Sequence, residues 1–245
     1  MSFTDSVKND GKNSSLLKVF LVIATLVFTC GLILLFHSPA RAADAAEQQG
    51  MVDKARVTFQ NFMNDQDMIW LQENMPHAKG VLIIPSLLKG GFFIGGSGGS
   101  GVLIVRDEKT GKWSQPGFYT IGSVTFGLQI GGEAAEVIMV VRSKKGIDSL
   151  LTTSFKLGGD TSVAAGPIGA GTKSNVTADI VSFARSKGAF LGASLEGAVI
   201  KTKDKWNEAY YKKGVRPTDI FVRHSVSNPG SAELREQVAK ATKNK

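Results

Sequence analysis

Glycine falls inside the strands of this chain as well as between them. Positions 122, 127, 158, 166, 169, 192 and 197 are glycines set within stretches that otherwise read as β-structure. Glycine weakens a strand, because it loses more backbone freedom than other residues and offers no side chain to pack. So many of them imply a geometric demand: bulges, sharp coiling, or close approach of another backbone. A flexible linker is the wrong reading, since β-branched and aromatic residues stand between the glycines. The apolar runs at 81–85, 91–95, 101–106, 118–122, 123–130 and 137–141, with later ones at 155–157, 162–165, 177–183 and 189–200, predict many short strands. A polar turn at 107–112 separates two of them. This pattern predicts a glycine-rich curved antiparallel sheet or barrel-like core.

Helices are expected at both ends of that core. Val52, Ala55, Phe59, Phe62 and Met63 recur at three- and four-residue spacing, and Met68, Leu71 and Met75 continue the stripe until Pro76 closes it. That face either packs on a core or lies on a membrane surface. A short helix is expected at 146–151, and two more near the C-terminus at 204–213 and 231–242. The fold class is therefore α+β.

Residues 1–42 read as an export segment. Lys8, Lys12 and Lys18 precede the uncharged run 19–36, and basic residues before an apolar run stay on the cytoplasmic side. Ser38-Pro39-Ala40-Arg41-Ala42-Ala43 then offers a small-x-small cleavage site ending at Ala42. A run of 18 is long for a signal peptide and close to the ~20 of a spanning helix, so the segment is either cleaved or retained as an anchor. Cys30, the single cysteine, lies inside that run between neighbours unsuited to lipid attachment. Beyond it the chain has no thiol, which excludes disulfides and cysteine-based zinc sites. The expected location is exported: periplasmic, or associated with a membrane of the cell envelope.

The remainder, 43–245, is long enough for one domain with a real core. Its charge is uneven: 43–141 carries seven Lys/Arg against ten Asp/Glu, and 142–245 carries eighteen against nine. A basic half on an exported protein points to anionic lipid or another polyanion. Nucleic acid does not fit, because aromatics are not interleaved with the basic residues and no recognition motif is present.

Two motifs associated with enzymes overlap in one segment. Residues 96–101, Gly-Ser-Gly-Gly-Ser-Gly, satisfy G-x-G-x-x-G, and 95–99 satisfy G-x-S-x-G around Ser97. Dinucleotide binding and a nucleophilic serine both need a helix immediately after the loop. Here the sequence continues as a strand, Val102-Leu103-Ile104-Val105-Arg106. A hydrolase acting through Ser97 is the enzyme alternative, and no catalytic residue, cofactor or metal ligand set is assigned. His77 and His224 stand in unrelated contexts, and the carboxylates are scattered.

The glycine-rich core resembles the SYLF family. The resemblance is carried by Ala78-Lys79-Gly80-Val81-Leu82-Ile83-Ile84-Pro85-Ser86 with Lys89-Gly90-Gly91-Phe92-Phe93-Ile94-Gly95-Gly96, and by Gly101-Val102-Leu103. It continues through Trp113-Ser114-Gln115-Pro116-Gly117-Phe118, Gly127-Leu128-Gln129-Ile130-Gly131-Gly132, and Leu157-Gly158 with Ala164-Ala165-Gly166-Pro167. It ends in Ser186-Lys187-Gly188-Ala189-Phe190-Leu191-Gly192-Ala193-Ser194-Leu195-Glu196-Gly197. These stretches run in family order over roughly Val52 to Lys240. The resemblance implies an α+β lipid-binding domain without enzymatic activity, whose eukaryotic members bind phosphoinositides and are linked in places to actin regulation. The export segment argues against carrying the actin role over. An anionic membrane lipid is the expected partner, with an envelope protein as the alternative. Candidate lipid-binding residues are Lys79 and Lys89, at positions matching the family around the first strand, and Arg185 and Lys187 before Gly188. Both residue types suit phosphate by charge, and arginine also by its fork geometry.

Overall fold

The structure is a computed structural model. It describes residues 39–91, 94–126, 131–169, 176–186, 189–191 and 195–243. The greater part of the export segment, 1–38, and Lys187 therefore lie outside the described residues. The chain divides between Ala43 and Asp44, and the second unit runs to Lys245.

Among the described residues nine strands form one sheet: β1 (Gly80–Gly91), β2 (Ile94–Val105), β3 (Gly117–Phe126), β4 (Gly131–Val141), β5 (Ser154–Lys156), β6 (Val163–Ala165), β7 (Ile180–Ser186), β8 (Ala189–Leu191) and β9 (Val199–Thr202). The order is β5-β9-β3-β2-β1-β4-β7-β6, with β8 also pairing β7. These pairings are antiparallel except that of β6 with β7. The sheet curls as a half-barrel, in keeping with the density of glycines in its strands. Six helices of the described residues accompany it: α1 (Pro39–Met63), α2 (Ile69–Asn74), α3 (Lys144–Leu150), α4 (Asp204–Tyr211), α5 (Pro217–Phe221) and α6 (Ala232–Ala241).

The expected N-terminal helix is two helices. Asn64 and Asp65 interrupt it, and the Asp65 carboxylate accepts from the Asp67 amide at 2.9 Å to start a new turn. The apolar stripe packs on the core: Val52, Ala55, Phe59, Phe62, Met68, Leu71 and Met75 are all buried. Helix α5 has no apolar run to announce it. It is started by Pro217 at its first turn, with the Asp219 carboxylate accepting from the Arg216 amide at 2.9 Å.

Strand β1 is the centre of the sheet, and it changes character halfway. From Val81 to Ile84 every residue is buried, since helices cover both faces. On one face α2 sets Trp70 against Phe183 of β7, and α4 sets Trp206 edge-on to Phe118 of β3. On the other, α3 receives the Tyr119 hydroxyl on the Leu150 carbonyl at 2.6 Å, and Phe221 of α5 stacks on Tyr119. A bulge then falls at Pro85, where the register to β2 shifts between Ile83 and Ser86 and that to β4 between Ile84 and Leu87. It draws the neighbouring backbone in close: a Cβ on Gly101 would stand 2.4 Å from the Ile83 carbonyl oxygen. Beyond the bulge the strands project as a second, less covered half. Every core residue among those described lies between Val52 and Val238, within residues 43–245.

Candidate functional site

The half of the sheet beyond the bulge has two unlike faces. Leu87 of β1, Ile121 of β3 and Ala135 of β4 point to one face and are buried. Alternation sends Ser86 and Leu88 of β1 to the other. On that face Ser86 is registered with Ser100, and Ser100 with Thr120. The next rung is Leu88, Gly98 and Gly122, and the one after it Gly90, Gly96 and Val124. Four of those six positions have no side chain, and Leu88 and Val124 are exposed at 61% and 70%. A Cβ on Gly98 would meet nothing nearer than the Ile121 carbonyl at 4.0 Å, so the surface above it is open.

The motif segment 95–101 lies within β2, paired on both sides, and is followed by more strand. Neither a phosphate-binding loop nor a nucleophile turn is formed. The Ser97 hydroxyl is 2.8 Å from that of Ser123 on the adjacent strand. The serine therefore sits in a cross-strand hydroxyl pair. Among the described residues no group of three or more His, Cys, Asp or Glu is placed to hold a metal ion, and no helix is long and apolar enough to cross a membrane.

The structure separates the candidate lysines. Lys79 and Lys89 lie ten residues apart, at opposite ends of one strand and about 33 Å from each other. Lys79 lines a surface hollow of about 290 Å³ with His77, Arg106, Asp107, Glu108 and Gly111. Its ammonium pairs with Glu108, Arg106 donates to the Pro76 carbonyl at 2.8 Å, and His224 Nε2 stands 3.1 Å from Asp107. Donations from the Thr110 hydroxyl and amide, more than the His224 contact, hold the Asp107 carboxyl down at about 2. The hollow is thus a turn whose charges satisfy one another.

Lys89 shares the far end of the sheet with Arg185, but its side chain leaves on the face of Leu87. Arg185 donates through Nε to Glu136 at 2.7 Å, a second nitrogen also reaches that carboxylate, and the guanidinium lies 5.8 Å from the Phe62 ring centre. Thr58 of α1 completes the pair by donating to Glu136 at 2.9 Å. This is a structural clamp between α1, β4 and β7.

Sequence reasoning missed Lys203, which precedes α4. Its ammonium lies 3.0 Å from the centre of the Trp206 ring and donates to the Ser100 hydroxyl at 3.2 Å. Partial burial pushes its pKa below the ordinary lysine value, and Glu47 acts in the opposite sense. The lysine-x-x-tryptophan spacing at the start of a helix was the available signal; the partner strand was not.

Sequence comparison places part of the chain in a known family. Residues 122–241 match the family model described as "Ysc84: Las17-binding protein actin regulator". The chain carries a domain of the Ysc84 (SYLF) family. It is 32% identical over 192 residues to SH3 domain-containing protein PJ696.02 of Schizosaccharomyces pombe, covering 74% of this chain and 44% of that protein. It is 31% identical over 163 residues to human SH3 domain-containing YSC84-like protein 1, covering 64% and 47%. Against Protein YSC84 of Saccharomyces cerevisiae it is 29% identical over 170 residues, covering 64% and 36%. The chain thus spans about half, or less, of the length of the relatives it matches. The family match begins within β3 and extends through α6.

Proposed function

We propose that this chain is a non-enzymatic lipid-binding module of the cell envelope, delivered by its first 42 residues and engaging anionic phospholipid. The observation that carries this reading is the open end of the sheet, where Leu88 and Val124 stand exposed on adjacent rungs. Solvent-exposed large apolar side chains on a surface otherwise stripped to glycine mark a contact surface. The basic C-terminal half supplies the complementary charge. Lys89 and Arg185 lie toward that end, whereas Lys79 is at the opposite one. Arg185 contributes less than its charge suggests, because Glu136 already neutralises it.

Co-sedimentation of residues 43–245 with vesicles tests the reading. Pelleting with phosphatidylglycerol-containing vesicles, weakened by salt and absent with neutral phosphatidylcholine, is the expected result. Equal pelleting with both, unaffected by salt, would sink the electrostatic form of the proposal. The family description favours a second reading, a protein-docking domain, since it names a Las17-binding actin regulator. Recovery of one stoichiometric protein partner independent of lipid would support that instead. The export segment is the argument against actin as that partner.

A further inference from the structure

Polarity is graded along the open face. At the edge nearest α4 stands the hydroxyl rung Ser86, Ser100 and Thr120, and Lys201 of β9 is registered with Thr120. About 7 Å further out, two residues along each strand, the surface becomes the glycine rungs bordered by Leu88 and Val124. The backbone groups of that floor are consumed in the ladder, so covering them with an apolar chain leaves no donor or acceptor stranded. The order is cation and hydroxyl first, bare apolar floor second.

Lys203 is fixed at the polar edge. The Trp206 ring beneath it is itself held 5.7 Å from Phe118 at an interplanar angle of 74°. Lys79, Lys144, Arg223 and Lys240 each have a carboxylate within 4.0 Å, but among the described residues Lys203 has none at that distance. Its fixed hydrogen-bond partner is the neutral Ser100 hydroxyl, and Glu47 is the acidic group whose field it feels. A lysine already ordered on an aromatic ring loses little further freedom on meeting an anion.

We propose that this face seats a phospholipid of the bilayer, with the phosphate against Lys203 and the hydroxyl rung and an acyl chain along the glycine floor between Leu88 and Val124. This rests on the reading that the chain binds anionic lipid, and it assigns that binding to a surface distinct from the one bearing Lys89. An acidic protein segment would use the cation but has no need of the apolar floor beyond it.

The test compares single substitutions in residues 43–245 on phosphatidylglycerol-containing vesicles. Lys203→Gln is expected to weaken binding about five- to tenfold, the full contribution of a lysine seated against an anionic surface. Lys109→Gln, in the turn at the opposite end of the sheet, controls for net charge and should change binding less than about twofold. Leu88→Glu should weaken binding while leaving the melting temperature in place, because its side chain is solvent-exposed. Val124→Trp provides a depth reading: the emission of the new indole should shift to the blue and be quenched by lipids brominated on the acyl chain. Equal losses for Lys203→Gln and Lys109→Gln would overturn the assignment to this face. So would the absence of quenching in a Val124→Trp protein that still binds. Failure of the unsubstituted protein to bind any anionic vesicle would instead remove the lipid reading as a whole.

Discussion

The contrast between Gly101 and Gly98 is the sharpest test of how this sheet is built. Both lie in β2, three residues apart, and both carry only hydrogen where most strand residues carry a side chain. An alanine Cβ at position 101 would stand 2.4 Å from the Ile83 carbonyl oxygen and 2.7 Å from Ile84 Cγ1. Ordinary contact begins about 1 Å further out, so β1 or β2 would have to retreat by that amount. Neither is free to do so, because β4 holds β1 from its other side and β3 holds β2. Overpacking of this kind costs about 1–3 kcal/mol, and the clamped geometry places Gly101→Ala at about 2–3 kcal/mol. For a domain of this size that is a fall in melting temperature of about 4–12 °C. At Gly98 the nearest atom to an added Cβ is 4.0 Å away, and the site faces solvent. Gly98→Ala should therefore be neutral, or stabilising by about 0.5 kcal/mol through reduced freedom of the unfolded chain. Thermal melts followed by circular dichroism, with urea midpoints as a second measure, decide the matter. Equal melting temperatures for the two variants would refute the claim that the bulge in β1 makes glycine obligatory at 101.

Breaking the Arg185–Glu136 clamp with Arg185→Met should cost about 2 kcal/mol, below the range for fully buried pairs because each side chain is about a quarter exposed. A double-mutant cycle with Glu136→Gln, read from urea midpoints, should show that the two losses are not additive. Asp107 has a depressed carboxyl pKa, so its stabilising effect is complete above the ordinary carboxylate range, near 4, and is lost as pH falls through about 2. The melting-temperature gap between the unsubstituted protein and Asp107→Asn should accordingly be constant at neutral pH and close between about pH 4 and pH 2; a gap indifferent to acid would show that the turn does not depend on the ionised carboxylate. Ser97→Ala should leave any trace of ester turnover unchanged and remove only the hydroxyl contact with Ser123. A loss of turnover in that variant would revive the hydrolase alternative.

Local pattern was enough for much of this protein. The helical stripe from Val52 to Met75, the strand runs at 81–85, 101–106, 118–122 and 137–141, the Asp107 turn and the helices at 204–213 and 231–242 follow from periodicity and punctuation, which act over a few residues. The run 91–95 instead falls where β1 gives way to β2, and 189–200 is divided between β8 and β9. The break at Asn64–Asp65 is a local signal of the same kind, as is Pro217 at the start of α5, although neither stands out against the apolar pattern around it. What tertiary structure alone decided is which way the glycine-rich half of the sheet faces. Strand residues announce their faces by alternation, and 81–84 is buried on both sides, so no alternation is there to read. The bulge that follows then reverses the parity. Counted straight on from Ile83, Leu87 and Lys89 would fall on the face that Ser86 and Leu88 in fact occupy. Pairings across the chain were equally hidden: Arg185 finds Glu136 at a separation of 49 residues, and Lys203 finds Ser100 at 103. Sequence established that Arg185 and the lysines carry charge. Only the folded sheet decided that Arg185 is held by a carboxylate, while Lys203 rests on an aromatic ring at the polar edge of the open face.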